Sequence, residues 1–219
     1  MHPTPDTSHI DIDRVYEPAE DSFLLLDALE KEESFLKSAF KQPISLEIGA
    51  GSGIVTTFLS QLIPNALYLA SDINLNCCQT TLETSDRNGG AKYLDALNCS
   101  LADCLRISPD IILFNPPYVP SSEETDESLQ AKLPNDVNDS SWLDYALDGG
   151  KDGMQITDIL LNQLHEILAP NGVAYILFCA RNHPEKVAQR MRSQFSWNVT
   201  RVIERKAGWE VLSVWKFQR

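Results

Sequence analysis

Ile44-Ser45-Leu46-Glu47-Ile48-Gly49-Ala50-Gly51-Ser52-Gly53 is the stretch that decides the fold. Its first five residues read as a short buried strand, and three alternate glycines follow at once. Glycine lets a chain turn sharply and lets a ligand lie against the backbone without meeting a Cβ. A strand running through such a loop toward a helix is the opening of a nucleotide-binding α/β unit. A tight turn with no ligand is the simpler alternative, so the flanking residues have to decide.

Upstream, Glu17 to Phe40 carries Phe23, Leu24, Leu26, Leu29, Phe35 and Leu36 at helical spacing, with acids near its start. Downstream, a helix runs to about Leu62, then comes the strand Leu67-Tyr68-Leu69-Ala70-Ser71-Asp72. A polar helix covers Leu75 to about Arg87, and a strand is expected around Ala96 to Leu101. Asp110-Ile111-Ile112-Leu113-Phe114 is a fourth strand, stopping at Asn115-Pro116-Pro117. Ser121 to Ser141 is a long acidic loop, Ile156 to Leu168 an amphipathic helix, Gly172 to Ala180 an apolar strand and Pro184 to Phe195 a helix. Trp197 to Ile203 and Val211 to Phe217 pair antiparallel about a turn near Ala207-Gly208, and Trp197, Trp209 and Trp215 are expected to pack that hairpin on the sheet.

This alternation predicts an α/β fold, a mainly parallel, seven-stranded Rossmann-like sheet with helices on both faces and a C-terminal antiparallel hairpin. Right-handed crossovers then put the functional loops at the carboxyl ends of the strands. Residues 1–14 read as a flexible N-terminal arm and residues 15–219 as one domain.

The chain has 31 acidic and 18 basic residues, a formal charge of −13. Such a field repels nucleic-acid phosphates and suits a basic protein partner better. The five cysteines, Cys77, Cys78, Cys99, Cys104 and Cys179, show no Cys-x-x-Cys spacing and the four histidines are scattered, so no zinc site is expected. Reduced thiols in a cytosolic or nuclear protein are the simplest reading. Met1 to Asp13 is polar, and the most apolar stretch, Gly53 to Ala70, is broken by Gln61, Pro64 and Asn65, so neither a secretory signal nor a bilayer span is expected.

Which nucleotide the glycine loop serves follows from its neighbours. A pyrophosphate needs Gly-x-Gly-x-x-Gly and no nearby anion. Here the spacing is Gly-x-Gly-x-Gly, and Glu47 precedes it. A carboxylate suits the cationic amino acid end of S-adenosylmethionine. Asp72, at the end of the second strand, can accept from both ribose hydroxyls, and Asp103, after the third, from the adenine amino group. Taken alone, each of these acids is equally a helix cap or a turn residue.

Asn115-Pro116-Pro117-Tyr118 closes the fourth strand, beside the glycine loop in this architecture. An amide or arylamine nitrogen is a poor nucleophile because its lone pair is delocalised. Two acceptors, the Asn115 side-chain oxygen and the Pro116 carbonyl, can hold the two N–H hydrogens and aim the nitrogen at an electrophilic methyl. The prolines stiffen the backbone that carries them, and Tyr118 can stack on the planar group. Such positioning supplies roughly 7–11 kcal/mol of a barrier. An Asn-Pro turn that merely ends a strand is the plain alternative.

The glycine loop, Asp72 and the tetrad together resemble the HemK-like glutamine methyltransferases that modify peptide-chain release factors. Val15-Tyr16-Glu17-Pro18-Ala19-Glu20-Asp21-Ser22-Phe23-Leu24-Leu25-Leu26 is similar to the N-terminal signature of the eukaryotic branch, and Gly149-Gly150-Lys151-Asp152-Gly153 belongs to the same likeness. The resemblance implies N5-methylation of the glutamine in the Gly-Gly-Gln motif of the eukaryotic release factor. It also implies a small zinc-binding activator subunit, paired with the edge strand at about Leu94 to Leu101. It assigns cofactor contacts to Ser22, Glu47, Gly49, Asp72, Asp103, Cys104 and Asn115, to which the loop reading adds Gly51, and catalysis to Asn115, Pro116 and Tyr118. The family usually has an apolar residue where Cys104 stands. Competing readings are an adenine N6-methyltransferase, since the tetrad can hold an exocyclic amine, and a cofactor-binding scaffold in translation. Glu123, Glu124, Asp126, Glu127, Asp136 and Asp139 crowd the loop past Tyr118; such a run is more often simply a solvated loop, and the functional alternative is that it faces a basic surface of the substrate.

Overall fold

The computed structural model describes residues 2–121, 134, 136–137 and 139–219. Its elements are α1 (Glu20–Ala39), β1 (Ile44–Ile48), α2 (Ile54–Leu62), β2 (Leu67–Asp72), α3 (Leu75–Arg87), β3 (Leu94–Asn98), β4 (Ile111–Phe114), α4 (Trp142–Leu147), α5 (Gln155–Ile167), β5 (Val173–Cys179), α6 (Pro184–Phe195), β6 (Asn198–Ala207) and β7 (Glu210–Gln218).

The strands form one seven-stranded sheet in the order β3-β2-β1-β4-β5-β7-β6. β1 to β5 run parallel, and β7 inserts antiparallel between β5 and β6. Side chains alternate between the faces, as a two-residue period requires. Ile111, Leu113, Val173, Tyr175 and Leu177 enter one core with α1 and α2. Ile112, Phe114, Ala174, Ile176 and Phe178 enter the other with α5 and α6. With both faces covered, β4 and β5 are apolar at every position, a pattern periodicity alone does not separate from a buried helix.

After β1 the chain moves to β2 and β3 on one side, then crosses back to β4 on the other. Ligands in open α/β sheets bind at such a reversal, outside the carboxyl ends of the strands. Ile48 is in register with Phe114, so the glycine loop and the tetrad leave the sheet side by side.

Several expectations shift. β3 ends at Asn98 rather than near Leu101, because the Asn98 side-chain amide donates to the carbonyls of Asp72 and Ile73 (both 2.9 Å) and the chain turns there. α4 stands where no element was expected. Trp197 and Trp215 are buried, but Trp209 sits at the tip of the hairpin turn and is 97% exposed, so it packs against nothing in the sheet. Residues 2–14 form no regular element, yet they are tied down. The His2 backbone N–H donates to Glu30 (2.9 Å) and Asp6 exchanges two hydrogen bonds with Asn88. Cys99 and Cys104 are joined as a disulfide, where five thiols were expected; Cys77, Cys78 and Cys179 are free and buried. No helix among the described residues is long and apolar enough to cross a membrane.

Candidate functional site

A cavity of about 520 Å³ opens at the carboxyl ends of β1, β2 and β4, within the ~300–1,000 Å³ range typical of small-molecule sites. One side is the glycine loop. Gly53 adopts φ +74°, and a Cβ there would come within 2.6 Å of Thr81 Cα, so this glycine lets α3 pack against the start of α2. Gly51, at φ +53°, has nothing within 4 Å of its Cβ position, leaving backbone open to a ligand. Glu47, 4% exposed, lines the cavity and accepts from the Thr56 N–H at 2.7 Å, which also caps the first turn of α2. Burial raises its carboxyl to about 8, against the lowering effect of the Thr56 hydrogen bonds and with a further push from Asp72. Asp72 is buried beside it and shifted upward for the same first reason. Its two oxygens accept from the Gly51 N–H (3.0 Å) and the Asn74 N–H (2.8 Å), tying the glycine loop to the turn after β2. A carboxylate has about four acceptor positions, and with the Cys77 thiol and the Ile73 N–H also close to this one, ribose hydroxyls would displace those two weaker contacts.

The opposite side is the tetrad. The Asn115 side-chain nitrogen donates to Asp21 Oδ2 at 3.1 Å, while its Oδ1 is buried with no hydrogen-bond partner. Six described side chains have a buried, unpaired polar atom, and Asn115 alone among them lines the cavity. Buried acceptors are paired as a rule, so an orphan on a cavity wall marks where a ligand donor belongs. Pro116 is buried next to it. The Tyr118 hydroxyl donates to Glu210 at 3.4 Å, and burial, with Asp21 and Glu210, pushes its ionisation far upward, so it stays neutral.

The tetrad's backbone is clamped from behind. The Asn182 side-chain amide donates to the carbonyls of Tyr118 (3.0 Å), Asp152 (3.0 Å) and Gly153 (3.3 Å), and its oxygen accepts from Cys179 N–H at 2.8 Å. A Cβ on Gly149 would lie 2.6 Å from the Pro117 carbonyl, and one on Gly153 would overlap the Tyr118 carbonyl. Gly149-Gly150-Lys151-Asp152-Gly153 is therefore the bed on which the tetrad lies.

The chain is 36% identical over 235 residues to the eRF1 methyltransferase catalytic subunit mtq2 of Schizosaccharomyces pombe, covering 100% of this chain and 96% of that one. The chain belongs to the Mtq2/HEMK2 methyltransferase family. Methyltransferase HEMK2 of Homo sapiens is 36% identical, over 94% of this chain and 90% of its own length. Among solved structures, the E. cuniculi Mtq2–Trm112 complex, described as responsible for methylation of the eRF1 translation termination factor, matches the fold with a TM-score of 0.65 at 21% identity, over 94% of this chain and 99% of that one. No protein-family model matches the chain.

Of the residues singled out from sequence, Ser22, Glu47, Gly49, Gly51, Asp72, Asn115, Pro116 and Tyr118 all line this one cavity of the Mtq2/HEMK2-type fold. Asp103 and Cys104 do not. Both are exposed and sit in the turn beyond the cavity, because β3 ends three residues earlier than expected; Asn98 and Cys99 line the wall instead. Sequence reasoning also missed Asp21, Tyr16, Asn182, and Trp142 and Tyr145 of α4. The apolar Trp142, Leu143 and Ala146 directly after the acidic loop were the available signal for α4. Burial and a hydrogen bond to Asp21 raise the Tyr16 hydroxyl to about 12. Of the acidic loop, Glu123, Glu124, Asp126 and Glu127 lie outside the described residues; Asp136 and Asp139 are exposed, and Asp139 accepts from the Ser141 N–H and hydroxyl.

Proposed function

We propose that this chain is the catalytic subunit of an S-adenosylmethionine-dependent methyltransferase that methylates N5 of the glutamine in the Gly-Gly-Gln motif of the eukaryotic release factor. The observation that carries this reading is the unpaired Asn115 Oδ1 on the wall of the cofactor-sized cavity. S-adenosylmethionine, when bound, supplies an electron-poor methyl carbon on a sulfonium. The chain's residues fit it: Glu47 offers a carboxylate to its ammonium group, Asp72 acceptor capacity to its ribose, Gly49 and Gly51 open backbone, with Ser22, Asn98, Cys99 and Asn115 around it.

At the acceptor end, Asn115 Oδ1 and the Pro116 carbonyl receive the two amide hydrogens of the substrate glutamine, and the Tyr118 ring flanks its plane. The substrate amide is neutral and loses its proton as the new bond forms, so no side chain has to act as base beforehand. A protein substrate that acts on the ribosome favours the cytoplasm as the site of the reaction, with the nucleus as the alternative.

The partner is a small subunit, proposed to bind zinc and to add a strand at the free edge of β3. Among the described residues β3 pairs only with β2, and Tyr93 just before it is 56% exposed, as are Leu75 and Leu82 of the adjacent α3 at 40% and 41%. An open strand edge with apolar neighbours favours a covering chain.

The test is methyl transfer from labelled S-adenosylmethionine by the two-subunit complex to release factor, to its Gly-Gly-Ala variant and to an adenine oligonucleotide. Label belongs on the unaltered release factor alone. Asn115→Ala lowers turnover on the order of 10³-fold while cofactor affinity stays within a few-fold. Label on the oligonucleotide and never on release factor overturns the reading in favour of an adenine methyltransferase.

A further inference from the structure

A primary amide has an acceptor end and a donor end of nearly equal shape, so Asn115 could occupy its pocket in either orientation. Only one presents an oxygen to the substrate. With the amide reversed, Asn115 would set N–H against N–H, and the Pro116 carbonyl alone would be left to hold the substrate.

Asp21 decides between them. Its Oδ2 lies 3.1 Å from the Asn115 side-chain nitrogen. An ionised carboxylate accepts hydrogen bonds and donates none. The reversed amide would set its oxygen against this carboxylate, so the flip is opposed by charge and not only by shape. Asp21 is itself held. It is 4% exposed, in the first turn of α1, where the helix dipole favours an anion, and its Oδ1 accepts from the Ser22 N–H at 2.7 Å and the Ser22 hydroxyl at 3.4 Å. Tyr16 lies close enough for the Asp21 carboxylate to help raise its hydroxyl's pKa.

We propose that Asp21 is a positioning residue: by taking the Asn115 N–H it locks the Asn115 oxygen toward the cavity as an acceptor for the substrate amide. This rests on the role given above to Asn115. As an ordinary helix-start acid, Asp21 would contribute only stability, and its isosteric amide would be tolerated.

Asp21→Asn keeps the shape, removes the charge and lets Asn115 flip. The double variant Asp21→Asn/Asn115→Asp restores an unambiguous acceptor, because a carboxylate at position 115 presents oxygen in either orientation and the new amide at position 21 donates to it. With the complete two-subunit complex, release factor as substrate and calorimetric cofactor binding, D21N should lower kcat on the order of 10²-fold. The KM for release factor and the cofactor Kd stay within threefold, and the double variant recovers at least tenfold over D21N. A kcat for D21N within threefold of the unaltered enzyme overturns the proposal. So does a double variant no more active than D21N, or a cofactor affinity that falls in step with kcat.

The contact has a second readout that needs no substrate. The Asn115 side-chain amide hydrogens exchange slowly in the unaltered protein and at least tenfold faster in D21N; equal rates in the two proteins refute the lock. Should the unaltered complex leave release factor unlabelled while this protection is seen, the substrate assignment falls and the lock stands.

Discussion

Asn182 offers the sharpest test of how the tetrad is held, because its side chain reaches three backbone carbonyls that only tertiary folding brings together. It is 3% exposed. Asn182→Ala removes those three bonds and the one from the Cys179 N–H, leaving the buried Gly153 carbonyl and Cys179 N–H without a partner. At about 1 kcal/mol net per bond, plus the penalty for stranded groups, the loss is about 3–5 kcal/mol. For a domain of this size that is about 6–20 °C in Tm. Asn182→Asp separates polarity from packing. It keeps the shape and the acceptor for Cys179, but turns an oxygen toward the carbonyls of Tyr118, Asp152 and Gly153. Burial and those carbonyls raise the new carboxyl's pKa in the folded state above its unfolded value of about 3.9. Between the two values the folded state holds a proton that the unfolded state has released, so stability falls as pH rises through that window and recovers as pH falls. Thermal unfolding at pH 8 and pH 5.5 reads this directly. N182D should be at least as unstable as N182A at pH 8 and regain part of the loss at pH 5.5. An aspartate variant as stable as the unaltered chain at pH 8 would show that Asn182 merely fills space.

Gly153→Ala should destabilise the fold by several kcal/mol, since its Cβ overlaps the Tyr118 carbonyl, whereas Gly51→Ala faces open space and costs about 1–2 kcal/mol in backbone strain, its main effect being weaker cofactor binding; Tm and calorimetric Kd measured together distinguish them. Because Glu47 is protonated up to about pH 8 without ligand and the ammonium of S-adenosylmethionine favours its ionised form, cofactor Kd should rise as pH falls from 8 to 6, by at most about tenfold per pH unit, with proton release on binding. A Kd flat across that range argues against an ion pair at Glu47. Tyr93→Asp, just before the edge strand β3, should weaken association with the partner subunit at least tenfold in a titration while leaving cofactor binding to the chain unchanged.

The centre of the sheet was legible because β1, β2 and β4 are short apolar runs closed by glycine, aspartate or Asn-Pro, and β1, β2, α3 and α6 fall within a residue of where periodicity places them. Legibility failed where position depends on a contact made elsewhere. Nothing in Leu94 to Leu101 announces that Asn98 will bond back to Asp72 and Ile73 and end the strand there, so Asp103 and Cys104 fall in the turn past the residues that line the cavity. Trp209 was expected to be buried because tryptophan usually is, but it is one of the two residues of a hairpin turn that projects beyond the sheet, and its neighbours in sequence carry no mark of that.

The same distinction runs through the site. Asn115-Pro116-Pro117-Tyr118 can be read in the sequence as two acceptors on a stiff backbone, because that chemistry is local. What makes them work is not local. The Tyr118 carbonyl is fixed by Asn182, 64 residues away, and the Asn115 amide is oriented by Asp21, 94 residues away in the opposite direction. Each helper looks ordinary where it stands: an asparagine at the end of a short turn after β5, an acid in the first turn of a helix. Neither would be chosen from a list of catalytic residue types, because neither reaches the reacting atoms. An acceptor without its own hydrogen is only as good as the group that keeps a donor from taking its place, so the polarity of this tetrad is written at residues 21 and 182 as much as at 115 to 118.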